Sequence, residues 1–345
     1  MPSDVLNIGL IGAGRIGRVH AENLSTRISS ANLLMVADVA EQAAKECAQR
    51  YRIPQAVSDY RALLDNPDIN AVLICSATNT HAQIIEEAAQ AGKQIFCEKP
   101  IALSLASIDR ALHAVEQAGV KLQIGFNRRF DANYRRVRQA IEQGEIGQPQ
   151  MLHIVSRDPA PPPVEYVKVS GGIFLDMTIH DFDMARFLVG SEVEEVYADG
   201  GVMIDSAIGA AGDIDTALVV LKFANGVIGT IDNSRKAVYG YDQRVEVLGS
   251  AGAIATNNNY PNSAVISDGQ HVRRDLPLNF FMERYTESFV TELAAFADAV
   301  LHDQPTPVTG QDGRAPVVMG LAARKSYDER RPVRLSEVEP EADHT

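Results

Sequence analysis

Three side chains in two short segments could together take an alcohol apart. The run Asp176-Met177-Thr178-Ile179-His180-Asp181-Phe182-Asp183 sets a carboxylate and an imidazole four residues apart. If Thr178–Leu188 is helical, Asp176 stands at its start and both side chains project toward one side. Glu98-Lys99-Pro100 adds an ammonium group. A neutral imidazole, with an unperturbed pKa of about 6.5, accepts a hydroxyl proton near neutrality. An ammonium donates to the same oxygen as negative charge develops on it. The remaining requirement is an acceptor for the hydride. Each segment alone has a plainer explanation: Asp176 as a helix N-cap, His180 as a satisfied core histidine, Glu98-Lys99 as a surface ion pair. Asp176, His180 and Asp183 also resemble a zinc ligand set, but no cysteine or second histidine is suitably placed nearby, so no metal is expected.

The first third of the chain alternates short β-branched runs with helical patterns. Strands are expected at Asn7–Ile11, Leu33–Ala37, Ala71–Cys75, Gln94–Cys97 and Val120–Phe126. Helices are expected between them, near Arg15–Leu24, Glu41–Gln49, His81–Ala91 and Ser104–Ala118, with Gly92 and Gly119 ending the last two. Such alternation implies a doubly wound parallel sheet covered on both faces. Pro100 helps to end the fourth strand, which puts Lys99 at a strand's carboxyl end, where ligands bind in such sheets.

Past residue 126 the pattern changes. Asn133–Gln143 reads as a helix. Then strand-like stretches follow one another at Met151–Ser156, Val193–Ile204, Thr216–Phe223, Val227–Asp232 and Arg244–Leu248. Asn225-Gly226 is a hairpin signal, because both residues tolerate positive φ. A large, mainly antiparallel sheet follows from this. Tyr285–Leu301 and Ala315–Tyr327 read as helices, and the acidic Glu337–Thr345 as a frayed tail. The expected division is a first domain over 1–126 and a second over 127–335. Residues 315–330 would pack back on the first, and 336–345 would form a flexible tail.

Gly12-Ala13-Gly14-Arg15-Ile16-Gly17 directly follows the first strand and opens a helix. Gly12 makes the tight turn, Gly14 lets the backbone approach a pyrophosphate, and Gly17 lets the helix pack on the sheet. The helix N-terminus then offers N–H groups to phosphate. Asp38, at the end of the second strand, can accept from a ribose hydroxyl and would repel a 2′-phosphate. Val39 follows, with no arginine or serine beside it. The cofactor expected is therefore NAD.

The net charge of −13 argues against nucleic acid or an anionic membrane as partner. The short basic pairs Arg128-Arg129 and Arg135-Arg136 do not alter that balance. Three cysteines, none in a Cys-x-x-Cys pair, suit a reducing compartment. The apolar run Ile8–Ile11 is too short for a signal peptide or a membrane span, so a cytoplasmic enzyme is expected.

Gly12–Gly17, Glu98-Lys99-Pro100 and Gly171-Gly172…Asp176…His180 resemble the glucose-fructose oxidoreductase, inositol dehydrogenase and rhizopine-catabolism (Gfo/Idh/MocA) family over residues 5 to 335. Gly125–Asp131, Ser156–Pro162 and Tyr239–Arg244 are similar to its inositol-oxidising branch. The resemblance implies an N-terminal Rossmann domain and a C-terminal α/β domain with an open sheet. It implies catalysis by Lys99, Asp176 and His180, and a homo-oligomer, dimer or tetramer, formed through one sheet face. Ser76, Thr78, Asn79 and His81 would run along the cofactor with Glu98 and Lys99; Thr78 or Asn79 could equally cap a helix. The implied reaction is NAD-dependent oxidation of myo-inositol to the keto-inositol, with His180 as general base. Scyllo-inositol, chiro-inositol or glucose is the alternative substrate, and a non-catalytic NAD-binding sensor has no need of all three groups. Polyol hydroxyls need many hydrogen bonds, and Asn127, Arg129, Asp158 and Tyr239 are the expected donors and acceptors.

Overall fold

Two compact units share the chain in the computed structural model, which describes residues 5–338. Among the described residues, the first comprises 5–130 and 287–315, the second 131–286 and 316–338.

In the first unit, six short apolar runs become a parallel sheet. Its strands are β1 (Leu6–Ile11), β2 (Ala31–Ala37), β3 (Gln55–Val57), β4 (Ala71–Ile74), β5 (Gln94–Glu98) and β6 (Leu122–Gly125). The helices between them are α1 (Arg15–Thr26), α2 (Glu41–Tyr51), α3 (Arg61–Leu64), α4 (Thr78–Gln90) and α5 (Leu105–Ala118). The order β3-β2-β1-β4-β5-β6 reverses direction between β1 and β4, which is where a doubly wound sheet opens a ligand crevice at its carboxyl edge. β3 was not anticipated; its Gln55–Val57 is too short and too polar to show a period.

The second unit opens with α6 (Ala132–Glu142), capped by Asp131, whose carboxylate accepts from the Asn133 and Tyr134 N–H groups. Next come β7 (Pro149–Arg157), α7 (Val164–Val167), α8 (Gly172–Asp176), α9 (Ile179–Val189), β8 (Val193–Gly201) and α10 (Ser206–Ala210). The remaining strands are β9 (Thr216–Phe223), β10 (Ile228–Ser234), β11 (Asp242–Gly249), β12 (Gly252–Ala255), and the small pair β13 (Val265–Ser267) and β14 (Val272–Arg274). Asn225-Gly226 makes the expected hairpin, with Lys222 facing Ile228 and Gly226 at φ 86°. The seven-stranded sheet runs β12-β11-β7-β10-β9-β8-β15, antiparallel except where β7 pairs with β10. Its last strand, β15, is Val333–Arg334.

Three helices complete the chain: α11 (Phe281–Arg284), α12 (Thr286–Leu301) and α13 (Gly310–Glu329). Here the expected division needs correcting. The segment that returns to the first unit is 287–315, not 315–330. The stripe Val290, Leu293, Phe296 and Ala297 has helical spacing and enters the core formed by Leu6, Ile8, Leu10 and Phe96. Pro316 onward belongs to the second unit: Gly320 lies against Leu175 and Phe174, and the Ser326 hydroxyl accepts from the Ala198 N–H. The tail also departs from expectation at its start. Residues 335–337 form a turn in which Glu337 is held by Arg331 and the Arg334 N–H; residues 339–345 lie outside the described residues.

Phe96 and Phe296 meet edge to face, with ring centroids 5.9 Å apart. Such a pair contributes about 0.5–1.5 kcal/mol beyond buried area. A double-mutant cycle of Phe96→Leu and Phe296→Leu should therefore show a coupling of about that size in urea unfolding. Additive losses would remove α12 from this core.

Candidate active site

The glycine turn is dictated partly by the chain and partly by what must approach it. Gly12 has φ 100°, and a Cβ there would lie 2.5 Å from the Cys75 carbonyl oxygen. A Cβ on Gly17 would sit 2.0 Å from the Gly12 oxygen. Both glycines are thus required by internal packing. Gly14 is different: nothing lies within 4 Å of its absent side chain. Its bareness serves a group arriving from outside, and no side chain caps α1. Asp38 accepts from the Ala13 N–H at 2.7 Å and from the Ala40 N–H at 2.8 Å, so its carboxylate is fixed at the β2 end. Val39 is fully out in solvent, and Arg15 is exposed while Ile16 is half-buried. These residues fit a dinucleotide: open backbone for the pyrophosphate and a rigid acceptor for the ribose.

After β4, the Ser76 and Thr80 hydroxyls are bonded at 2.7 Å. Thr78 and Asn79 open α4 without capping it; the N-cap is Ala77. His81 needs correction as a cofactor contact. It is buried, and its ring nitrogens face the carbonyls of Pro100 at 2.8 Å and Ser76 at 3.0 Å. Burial pushes its pKa down, against the two carbonyls and the Glu98 charge that favour the proton. It ties the loop after β4 to the segment after β5. That segment contains half-buried Lys99 and the cis peptide to Pro100.

In the second unit, Gly171 and Gly172 both have positive φ, at 87° and 77°. A Cβ on Gly172 would lie 2.7 Å from Asp213 Oδ1, the same oxygen that accepts from the Ile173 N–H at 3.0 Å. Arg235, almost wholly buried, lies between Asp176 (3.2 Å) and Asp213 (3.6 Å). The Tyr166 hydroxyl donates to the other Asp176 oxygen at 2.8 Å. Asp176 is therefore not an N-cap: it ends α8, and its carboxylate accepts from Arg235 and Tyr166. His180 sits in the first turn of α9, half-buried. The start of α9 is pinned by Thr178, which donates to Asn233 Oδ1 at 2.6 Å. Asn233 in turn donates to Asp181 at 2.9 Å and to the Ser156 carbonyl at 3.2 Å.

The expected polyol contacts are dispersed. Asn127 is buried, 3.4 Å from the Ser288 hydroxyl, and Arg129 donates to Asp312 at 3.0 Å; both pairs lie within the first unit. Burial alone would raise the Asp312 pKa, but Arg129 and Thr309 outweigh it and hold the carboxyl low. Asp158 follows β7 and is fixed through its backbone to Ser234 and Ala237. Tyr239 donates to Asp242 at 2.6 Å and accepts from Arg157 at 3.0 Å. Successive strand residues point to opposite faces. Arg157 and Asp242 thus lie on the sheet face away from Ser156 and Asn233, which receive α9. The Tyr239 hydroxyl is held by Arg157 and Asp242. Tyr166, Asp213 and Arg235 were missed by sequence reasoning, because no spacing ties residues 166, 213 and 235 to 176.

A parallel sheet in this strand order, with a bare glycine turn and a fixed acid at the next strand end, defines an NAD-binding oxidoreductase. Residues 6–126 match the family model described as an oxidoreductase family with an NAD-binding Rossmann fold, and 134–255 match a GFO/IDH/MocA C-terminal domain. The chain belongs to the Gfo/Idh/MocA family. It is 50% identical to a myo-inositol 2-dehydrogenase of Thermotoga maritima, over 96% of this chain and 99% of that one. It is 47% identical to an inositol 2-dehydrogenase of Rhizobium meliloti, again over 96% and 99%. A crystal structure of a probable dehydrogenase from Thermotoga maritima superposes with a TM-score of 0.95, at 50% identity, covering 97% and 100%. A scyllo-inositol dehydrogenase of Lactobacillus casei, solved with NAD(H) and scyllo-inositol, gives 0.90 at 30% identity, covering 96% and 99%.

Removing one partner of a buried ion pair costs about 3–5 kcal/mol, because the other charge is left uncompensated. Asp176→Ala should lose stability on that scale, whereas Arg235→Met together with Asp176→Leu should recover much of it. Unfolding free energies of the two variants check this; a stable Asp176→Ala protein would contradict the bracket described.

Proposed function

We propose that this protein oxidises myo-inositol to the keto-inositol with NAD. The observation that carries the reading is identity of about half of all residues, over nearly the full length, to relatives named for that reaction. NAD, when bound, supplies the hydride acceptor. The glycine turn Gly12–Gly17, Asp38 and Val39, and the loops at Ser76–Asn79 and Glu98-Lys99, hold it. His180 takes the proton from the reacting hydroxyl, and Lys99 donates to that oxygen as charge develops. Asp176 holds its place through Arg235 and Tyr166 and orients the imidazole. Asn127, Arg129 and Asp158 are proposed to meet the other hydroxyls. Tyr239 is kept as a contact between copies rather than within one.

The second reading, oxidation of scyllo-inositol, has its own support in the Lactobacillus casei relative. Assembly as a homo-oligomer is proposed through the open sheet face. There Met151, Ile228 and Leu248 are paired across β7, β10 and β11 and remain exposed. No helix among the described residues is long and apolar enough to cross a membrane. With the buried free cysteines Cys47, Cys75 and Cys97, this supports a cytoplasmic location.

Reduced-nicotinamide formation should be clear with NAD and myo-inositol, and weaker with scyllo-inositol, chiro-inositol and glucose. Turnover of glucose alone would overturn the substrate assignment. Exchanging NADP for NAD should cost the wild type most of its rate, and Asp38→Ser should narrow that gap by about tenfold. Lys99→Met and His180→Ala should each lower kcat by about a hundredfold or more, far more than they weaken NAD binding. Equal losses of NAD affinity and kcat would make either residue structural. The wild-type oxidation rate should rise with pH through the histidine range, as expected of a neutral base.

A further inference from the structure

The core of the first unit holds a group of ionisable side chains to which the proposed reaction assigns no proton transfer. His20, on α1, is fully buried, and its Nε2 lies 2.6 Å from Glu98 Oε1. Glu292, on α12, is fully buried too. A ring nitrogen of His20 and one oxygen from each carboxylate lie within 4.8 Å of one another. Among the described residues, both Glu292 oxygens, His20 Nδ1 and the neighbouring Gln123 Oε1 have no hydrogen-bond partner. Gln123 donates instead to the Glu292 backbone carbonyl at 2.9 Å.

The site is built rather than accidental. Gly125 faces Glu98 across β5 and β6, and a Cβ there would lie 3.1 Å from the carboxylate. The His20 ring packs edge-on against Phe96 and Phe289. A divalent metal is disfavoured by spacing. Two donors at about 2.0–2.1 Å from a tetrahedral ion stand about 3.3 Å apart, and 2.6 Å is a hydrogen-bond distance. An ionised Glu292 would be a buried charge with no hydrogen bond, which costs several kcal/mol.

We propose that the His20–Glu98 hydrogen bond, with a protonated Glu292 packed beside it, forms a buried network that positions Lys99. Glu292 carries its proton, His20 binds Glu98, and Glu98 presents its charge one residue before the ammonium. These are positioning residues: none is assigned to the reacting oxygen. The other titratable groups facing the network are Cys75 and Cys97, both buried, with Lys99 just past the end of β5 and His81 on α4. Burial, and then the Glu98 charge, push the Glu292 carboxyl well above its ordinary value of 4.5.

The sign of the pH effect follows. A raised folded-state pKa gives a stabilisation that is complete below the ordinary value and is lost as pH rises toward the folded one. Glu292→Gln mimics the protonated acid and cannot ionise. Its melting temperature should gain on the wild type as pH rises above the ordinary Glu292 value of 4.5. A constant difference, or a loss, across that range would overturn the proposal. The infrared carbonyl band of a protonated carboxylic acid should be present in the wild type at neutral pH and absent from Glu292→Gln; its absence from the wild type would overturn the proposal too. So would a divalent metal found at one equivalent in the purified protein.

The positioning role rests on Lys99 being catalytic, and the two can fail separately. His20→Gln keeps a donor to Glu98 but removes the imidazole. It should lower kcat about tenfold to a hundredfold and alter its pH profile, while the NAD dissociation constant by calorimetry stays within about threefold. Wild-type kcat and profile in His20→Gln, beside a dead Lys99→Met, would defeat the network alone. An active Lys99→Met would defeat the underlying reading.

Discussion

Everything proposed for the first unit depends on one constraint: its strands are all parallel and their order reverses between β1 and β4. Parallel strands end on the same edge, so the residues after β1, β2, β4 and β5 are gathered there without being close in sequence. Gly12, Asp38, Ser76 and Lys99 are those residues. An antiparallel partner anywhere in the series would have sent one of them to the opposite edge. Internal hydrogen bonds then sharpen the gathering. Asp38 reaches the Ala13 N–H from the neighbouring strand end, and His81 ties Pro100 to Ser76.

The second unit fixes its groups by electrostatics rather than by strand ends. Burying the Arg235 guanidinium is tolerable only with counter-charges, and Asp176 and Asp213 supply them. Asp213 also receives the Ile173 N–H and fills the space that a side chain on Gly172 would need. One buried cation thus connects the double-glycine turn to the carboxylate four residues before His180. Further along, Asn233 ties the start of α9 to β7. The helix that carries the imidazole is thus anchored through Thr178, Asp181 and Asn233.

Much of this could be read from the chain alone, for identifiable reasons. The glycine turn and the acid at the β2 end carry fixed spacings set by backbone geometry, so Gly12, Gly14, Gly17 and Asp38 were legible. So was the Asn225-Gly226 hairpin, since its φ values restrict the residue types. What could not be read depends on tertiary pairing. Glu98 looks like half of a surface ion pair, yet its carboxylate turns inward to a histidine 78 positions earlier. Tyr239 was expected beside the substrate, but the alternation of β7 and β11 aims its partners at the other sheet face. The helix 286–301 was recognised, but its unit was not, because amphipathic spacing reveals a buried face without naming what covers it.

The central claim is that this chain moves the hydrogen on carbon 2 of myo-inositol to NAD. Its most direct test uses myo-inositol deuterated only at that carbon, with mass spectrometry of the nicotinamide product. The account predicts deuterium in the reduced nicotinamide at one atom per turnover, together with a ketone at carbon 2. Unlabelled reduced nicotinamide, or a ketone at another ring position, would contradict it.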